Sequence, residues 1–476
     1  MRESGREERL SLRWARAATG CALAGLLAAA VPARGQGSED VNAGQFDFSL
    51  PGARSLAMGG AFIALADDAT SAYSNPAGLI QLGRPEISVE YRGWNFDATA
   101  IDRGHAFGQP TGIGLDTISG LVSEAFPSST SGVSFASLVY PRSRWALGLF
   151  AHQFPKFETT KDIQGAFFNC SGGTLDDNTS PYCQPLIAQT NGIDRVQPKD
   201  QDIKIGLWST GATLSFQIRP GLSLGVSGLY YSFSMDSTNR VYSTFADPFG
   251  PKNRDRLDLL STQRGDDHAF AWNGGLRWSL GSWVLAGAYR AGPRFDYMNT
   301  IRAGPAHRQA CPEGLCNEQT VRFKVPDTFA AGIAFRPVPP WTLAFQYDFV
   351  EFTDLWGRQS SGLQGGAAQT LDAGLKMDDA HRFRFGVEYL KVFSGGQVVA
   401  LRGGVWHDTS HRAHFEADPN TGLPYPQYAL LFPKGPSQTH GSAGIGFVLQ
   451  PHFQLDAAVD ISDLHRTLSV STILKF

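Results

Sequence analysis

The chain is poor in sulfur, with five cysteines and five methionines in 476 residues. It has little charge imbalance, −3 overall, and no basic stripe. A phosphate backbone needs such a stripe, so nucleic acid is excluded as a partner. Beyond the first 35 residues no apolar run reaches the length of about 18 that a spanning helix requires. The mean hydropathy of −0.19 agrees, and a bundle of membrane helices is excluded. Gly-x-Ser-x-Gly and His-Glu-x-x-His are both missing. No catalytic constellation emerges from the spacing, and neither an enzyme nor a cofactor is expected.

The first segment reads as an address. Arg2, Arg6, Arg9, Arg13 and Arg16 precede the apolar run "AATGCALAGLLAAAVPA", which ends in the small-x-small step Ala33-Arg34-Gly35. That pattern predicts a secretory signal over 1–35. Cys21 precedes the apolar core, which argues against a lipid anchor. Removing six arginines and three glutamates with the signal takes the net charge from −3 to about −6. Cys170, Cys183, Cys311 and Cys316 remain as two local pairs in an exported chain. Two disulfides closing short loops are expected. Zinc is the alternative, but only His307 lies near either pair, and a tetrahedral set would lack a ligand.

Past residue 85 the hydrophobic pattern has period two. In "WTLAFQYDFV" Trp341, Leu343, Phe345, Tyr347 and Phe349 share one face. In "HRFRFGVEYL" Phe383, Phe385, Val387 and Tyr389 oppose Arg382, Arg384, Gly386 and Glu388. Such alternation marks strands with one apolar and one polar face. Fourteen candidates fall near 86–98, 130–140, 144–154, 204–219, 222–237, 267–279, 282–297, 321–336, 341–352, 381–392, 396–407, 438–449, 452–462 and 465–476. They run about 10–16 residues, where globular strands have about 5–6 and membrane strands about 9–11. Even-numbered connections are tight and odd-numbered ones mostly long. A soluble sandwich has no reason to sort its loops by parity; an outer-membrane barrel does. The expected fold is therefore all-β: a multi-pass barrel of about 14 antiparallel strands in the bacterial outer membrane, over 86–476. Outer-membrane lipid and lipopolysaccharide would surround it. Trp145, Trp341 and Tyr389 suit interface girdles. The final strand ends on Phe476, which resembles the signal read by the barrel-assembly machinery. Arg382, Arg384, Asp348, Glu388, Asp456, Asp460 and Lys475 should face inward, pairing across a wet lumen or forming a binding site.

Fourteen strands enclose more space than wall side chains can fill. Residues 36–85 lack alternation and are rich in Gly, Ala and Ser, which permits close packing. This segment is expected to fold into the lumen as a plug, or hatch. Asp67 or Asp68 can cap a short helical turn. Pro76 pushes Asn75 out of the helical region.

The run "FSLPGARSLAMGGAFIALADDATSAYSNPAGLIQLGRPEISVEY" resembles the hatch of the FadL/TodX family, outer-membrane transporters of long-chain fatty acids and aromatic hydrocarbons. Gly52-Ala53-Arg54, Gly59-Gly60, Asp67-Asp68-Ala69 and Asn75-Pro76-Ala77 carry the resemblance. Later strands such as "DAHRFRFGVEYL" extend it over essentially the whole mature chain. PorV-like barrels, which act as scaffolds or shuttles for secreted surface proteins, have a similar hatch and supply the alternative function. The resemblance implies capture of a hydrophobic small molecule at extracellular loops and gating by the hatch, with Gly52, Asp67, Asp68, Asn75, Pro76 and Ala77 at the moving turn. It also implies a kink in the third strand that opens the wall sideways. Phe154-Pro155 falls there, and Pro155 cannot donate a ladder hydrogen bond; the other reading is that Pro155 only ends the strand.

Two apolar stretches are candidates for ligand capture. "GIGLDTISGLVSEAF" would place Ile118, Leu121 and Val122 on one helical face. "LPYPQYALLF" clusters Tyr425, Leu430 and Phe432, with Lys434 nearby to receive a carboxylate. Either stretch can equally be loop core packed on itself. "WHDTSHRAHFEAD" offers His407, His411, His414, Glu416 and Asp418 to a metal, but no helical facing unites them, and no metal is assigned.

Overall fold

A computed structural model describes residues 48–106, 120–154, 156–169, 193–196, 198–242, 252–303, 316–355, 375–416, 433–450 and 452–476. The proposed signal, Cys170, Cys183, Cys311, Pro155, Ile118, Tyr425, Leu430, Phe432 and Asp418 lie outside the described residues.

The wall consists of β1 (Glu86–Asp102), β2 (Val122–Pro141), β3 (Trp145–Gln153, resuming as Phe157–Ile163) and β4 (Lys199–Arg219). It continues with β5 (Leu222–Tyr242), β6 (Leu257–Leu280), β7 (Trp283–Arg290 and Arg294–Ala303) and β8 (Cys316–Lys324 and Thr328–Phe335). It ends with β9 (Trp341–Val350), β10 (Ala380–Val392), β11 (Val398–Asp408), β12 (Gln438–Gln450), β13 (Phe453–Ile461) and β14 (His465–Lys475). Each strand pairs antiparallel with its sequence neighbours, and β14 returns to β1 in the register Glu86↔Lys475 to Phe96↔His465. The β14–β1 pairing closes the sheet into a barrel, the form a lipid environment demands.

Period two sorts the side chains as expected. On β1, Ile87, Val89 and Tyr91 are exposed while Glu86, Ser88, Glu90 and Arg92 are buried. On β10, Phe383 and Phe385 face out while Arg382, Arg384 and Glu388 are buried. The outer wall is thus apolar and the lumen polar. Trp145, Trp283 and Trp341 lie on the outside next to the tight turns, at the level of a girdle.

Three corrections concern the strands. Val122, expected on a helix, opens β2, because β1 extends upward to pair Asp102 with it. Leu121 immediately precedes it and is half-buried. β6 starts at Leu257, well before the expected 267. β7 and β8, expected to be continuous, both break at one level. Their breaks fall at Ala291-Gly292-Pro293 and Val325-Pro326-Asp327, where each proline removes a donor. Asp327 holds the two breaks together: its carboxylate accepts from Gly292 N at 2.8 Å and from the Tyr289 hydroxyl at 2.6 Å. A Cβ on Gly292 would sit 1.7 Å from the Val325 carbonyl oxygen, so only glycine fits this crossing.

Candidate functional site

Residues 48–85 occupy the lumen and are almost entirely buried. Two short helical turns, Ala53–Ala57 and Ser71–Ser74, and a 3-10 turn, Pro76–Gln81, are too short to be stable alone. The wall supplies what they lack. Glu90 accepts from Gly52 N at 3.0 Å, and the Gln346 side-chain oxygen accepts from Phe62 N and Ile63 N at 2.9 and 3.0 Å. Thr213 and Ser223 donate to the carbonyls of Ala72 and Ala77, and Arg290 to that of Ser74.

The Asn-Pro-Ala turn is fixed from both sides. Asn75 is extended (φ −153°, ψ 101°), as Pro76 requires, and its side-chain oxygen caps Ala77 N at 3.1 Å. Its amide donates to the Ile63 carbonyl at 2.9 Å and to the Leu276 carbonyl of β6 at 3.3 Å. Asp68, nearly fully buried, accepts from Thr70 N and Oγ1 at the head of the Ser71–Ser74 turn. Asp67 instead pairs with Arg54 and, at 3.2 Å, with Arg336. Gly52 sits at φ 95°, a conformation side chains disfavour.

Charged groups tie plug to wall. Arg54 meets Glu388 of β10 at 2.9 and 3.0 Å. Arg402 donates to Glu388 and to Asp456, each at 2.6 Å. Arg384 donates to Asp348 at 2.6 Å and to the Gly59 carbonyl at 3.1 Å. The inward charges are therefore largely paired, the first of the two roles considered for them.

Glycines in the wall make room for the plug. A Cβ on Gly404 would lie 2.2 Å from Gly59 N and 2.4 Å from Met58 C. Both are backbone atoms and cannot swing aside. Gly404→Ala is expected to weaken plug docking by about 1–3 kcal/mol while the strands stay paired. Limited proteolysis of the folded barrel would show it as faster cutting within 48–85. Wild-type cutting rates would contradict it.

One ladder of the wall is interrupted. The β2–β3 ladder runs from Pro141↔Ala146 only to Phe135↔His152. Above it, β3 stays on β4, from Phe157↔Ile205 to Ile163↔Lys199, while β2 stays on β1 up to Asp102↔Val122. No backbone ladder joins β2 and β3 above His152 among the described residues. Only side chains reach across: Ser128 Oγ donates to the Glu158 carbonyl and Thr130 Oγ1 to the Lys156 carbonyl, the latter at 3.2 Å. Phe154 lies at the tear. Its N–H bonds Leu207 O at 3.0 Å, and its buried ring packs with Phe48, Tyr73, His152 and Tyr231. Plug aromatics (Phe48, Tyr73) thus touch the wall aromatics where the ladder stops.

Other expected ligands are not assembled. His407 bonds the Thr439 hydroxyl, and His411 and His414 bond backbone carbonyls. Glu416 pairs with Lys376. Lys434, suggested as a carboxylate receptor, pairs with Asp378 at 2.5 Å. Sequence reading missed the cluster Asp327, Glu351 and Asp354 at the β7–β8 break. Lys324 stands between Asp327 and Asp354, at 3.0 and 2.5 Å, and supplies the cation there. Cys316 opens the upper part of β8.

Comparison with known proteins agrees with this architecture. The Pseudomonas aeruginosa FadL homologue superposes with a TM-score of 0.59 at 14% identity, covering 90% of this chain and 99% of that one. The Ralstonia pickettii toluene transporter TbuX gives 0.54 at 14%, covering 90% and 100%. The P. putida toluene transporter TodX gives 0.54 at 13%, covering 90% and 99%. At these identities the likeness is one of fold. No curated protein matches the chain. The sequence profile described as outer membrane protein transport protein (OMPP1/FadL/TodX) matches residues 199–464. With a closed 14-stranded barrel and a lumenal plug, this chain belongs to the OMPP1/FadL/TodX family of outer-membrane transport proteins, which are channels and not enzymes.

Proposed function

We propose that the protein takes up a hydrophobic compound, a long-chain fatty acid or an aromatic hydrocarbon, and releases it sideways through the wall between β2 and β3. The observation that carries this reading is the height of the tear. The ladder ends at Phe135, six residues above Pro141 at the tight-turn end. A membrane strand needs about 9–11 residues to cross, so the opening falls inside the apolar band. A cargo leaving there enters lipid without meeting water. Each buried CH₂ gains about 0.8 kcal/mol, which favours that direction over the polar lumen.

The plug gates the path. Asn75, Pro76 and Ala77 lock its end against β5 and β6, and Tyr73 touches Phe154 at the tear, so a shift of the plug moves the aromatic gate. The disulfide pairs would stiffen the connections near Cys170 and Cys183, and near Cys311 and Cys316. The scaffold alternative draws no support from the described residues.

The test is uptake of labelled oleate and labelled toluene by cells lacking their own hydrophobic porter, with the barrel verified at the surface. Accumulation of either above empty-vector cells is expected. No accumulation of either would transfer the weight to the scaffold function.

A further inference from the structure

Above the plug lies a chamber of about 80 Å³. One buried water needs about 10–15 Å³ on this measure, so the space admits something larger. Leu50 and Leu56 of the plug, with Trp406 and Leu464, give it apolar walls.

Its polar rim is incomplete. Asp408 Oδ1, Ser410 Oγ and Gln438 Oε1 line the chamber, are buried, and have no hydrogen-bond partner. Asp408 and Gln438 face each other across the β11–β12 ladder, and Ser410 follows Asp408 by two residues. Buried polar atoms are almost always satisfied. Three orphans around one cavity, with the buried donor Arg412 Nη1 beside them, point to a guest that meets them.

The guest's chemistry follows from the atoms. Two orphans are acceptors and the third is a hydroxyl, so the guest must donate, while Arg412 Nη1 beside them is a buried donor toward which a hydroxyl oxygen can turn. A hydrocarbon cannot. A carboxylate cannot either, and it would face Asp408 and Asp460. Two cations at the chamber are paired with carboxylates. Arg382 bonds the other Asp408 oxygen at 3.0 Å, and Arg384 bonds Asp348. Arg412 and His411 also line the chamber, His411 Nδ1 standing 3.7 Å from Asp408 Oδ1. Asp460 is itself fully engaged by Trp406 Nε1 at 3.0 Å and His440 Nδ1 at 2.7 Å.

We infer that this chamber binds the hydroxyl of an uncharged amphiphile, an alcohol or phenol, with its apolar body against Leu50, Leu56 and Trp406. The inference rests on the uptake reading and names the cargo class that the chamber selects.

Benzyl alcohol, toluene and benzoate share one ring and differ in the head group. Equilibrium dialysis of each, radiolabelled, against the purified full chain in detergent, with a detergent-only control, measures the preference. Benzyl alcohol is expected to bind about three- to tenfold more tightly than toluene, the worth of one net hydrogen bond, and benzoate more weakly than benzyl alcohol. Gln438→Leu and Ser410→Ala should each lower the ratio of benzyl alcohol binding to toluene binding. Equal binding of the three probes, tightest binding of benzoate, or a preference that survives both variants would overturn the inference. Intact uptake of oleate or toluene beside such a result removes only the head-group selection. Absence of all uptake removes the transport reading beneath it.

Discussion

Glu388→Ala is expected to release the plug while leaving the barrel closed. Glu388 is 2% exposed and receives three charged hydrogen bonds, two from Arg54 of the plug and one from Arg402 of β11. Removing one partner of a buried ion pair costs about 3–5 kcal/mol, because the remaining charge stays desolvated. Arg402 keeps Asp456, and Arg54 keeps Asp67, so the lower end of that range applies. At 1.4 kcal/mol per factor of ten, about 3 kcal/mol raises the undocked fraction on the order of a hundredfold. The barrel's own ladders do not pass through this side chain. Heat-modifiable migration of the folded barrel should persist, while cells become sensitive to large antibiotics that the plugged lumen excludes. Glu388→Gln keeps an accepting oxygen and should leak less. A Glu388→Ala barrel as tight as wild type would show that the plug is held elsewhere.

The barrel was legible because period-two alternation leaves no freedom: a one-residue slip would turn Phe383 inward and Arg384 into lipid. The plug was legible for a related reason. A segment of small residues without alternation, next to fourteen strands, has only the lumen to fill. The breaks in β7 and β8 were not legible. Pro293 and Pro326 lie in runs that otherwise alternate, and their coincidence at one height depends on the Asp327 bridge to Gly292. The helix expected over Leu121 and Val122 failed because β1 outgrew its apolar stripe and drew β2 upward with it. The chamber acceptors were equally hidden. Asp408 and Gln438 are 30 positions apart and meet only through the β11–β12 register.

If cargo leaves between β2 and β3, a crosslink across that gap stops it. Thr130 and Lys156 already approach, hydroxyl to carbonyl, at 3.2 Å with no ladder between their strands. In Thr130→Cys/Lys156→Cys a short thiol-cleavable bridge closes the gap without touching the plug or the chamber. Cleavage reopens it in the same molecule, and the two single variants control for the native cysteines. When a gate limits the rate, closing it stops turnover whatever the affinity upstream. Uptake of the labelled cargo that wild type accumulates should fall on the order of tenfold or more when bridged, and recover on cleavage. Undiminished uptake through the bridged barrel would rule out this exit and place it along the lumen, past the plug.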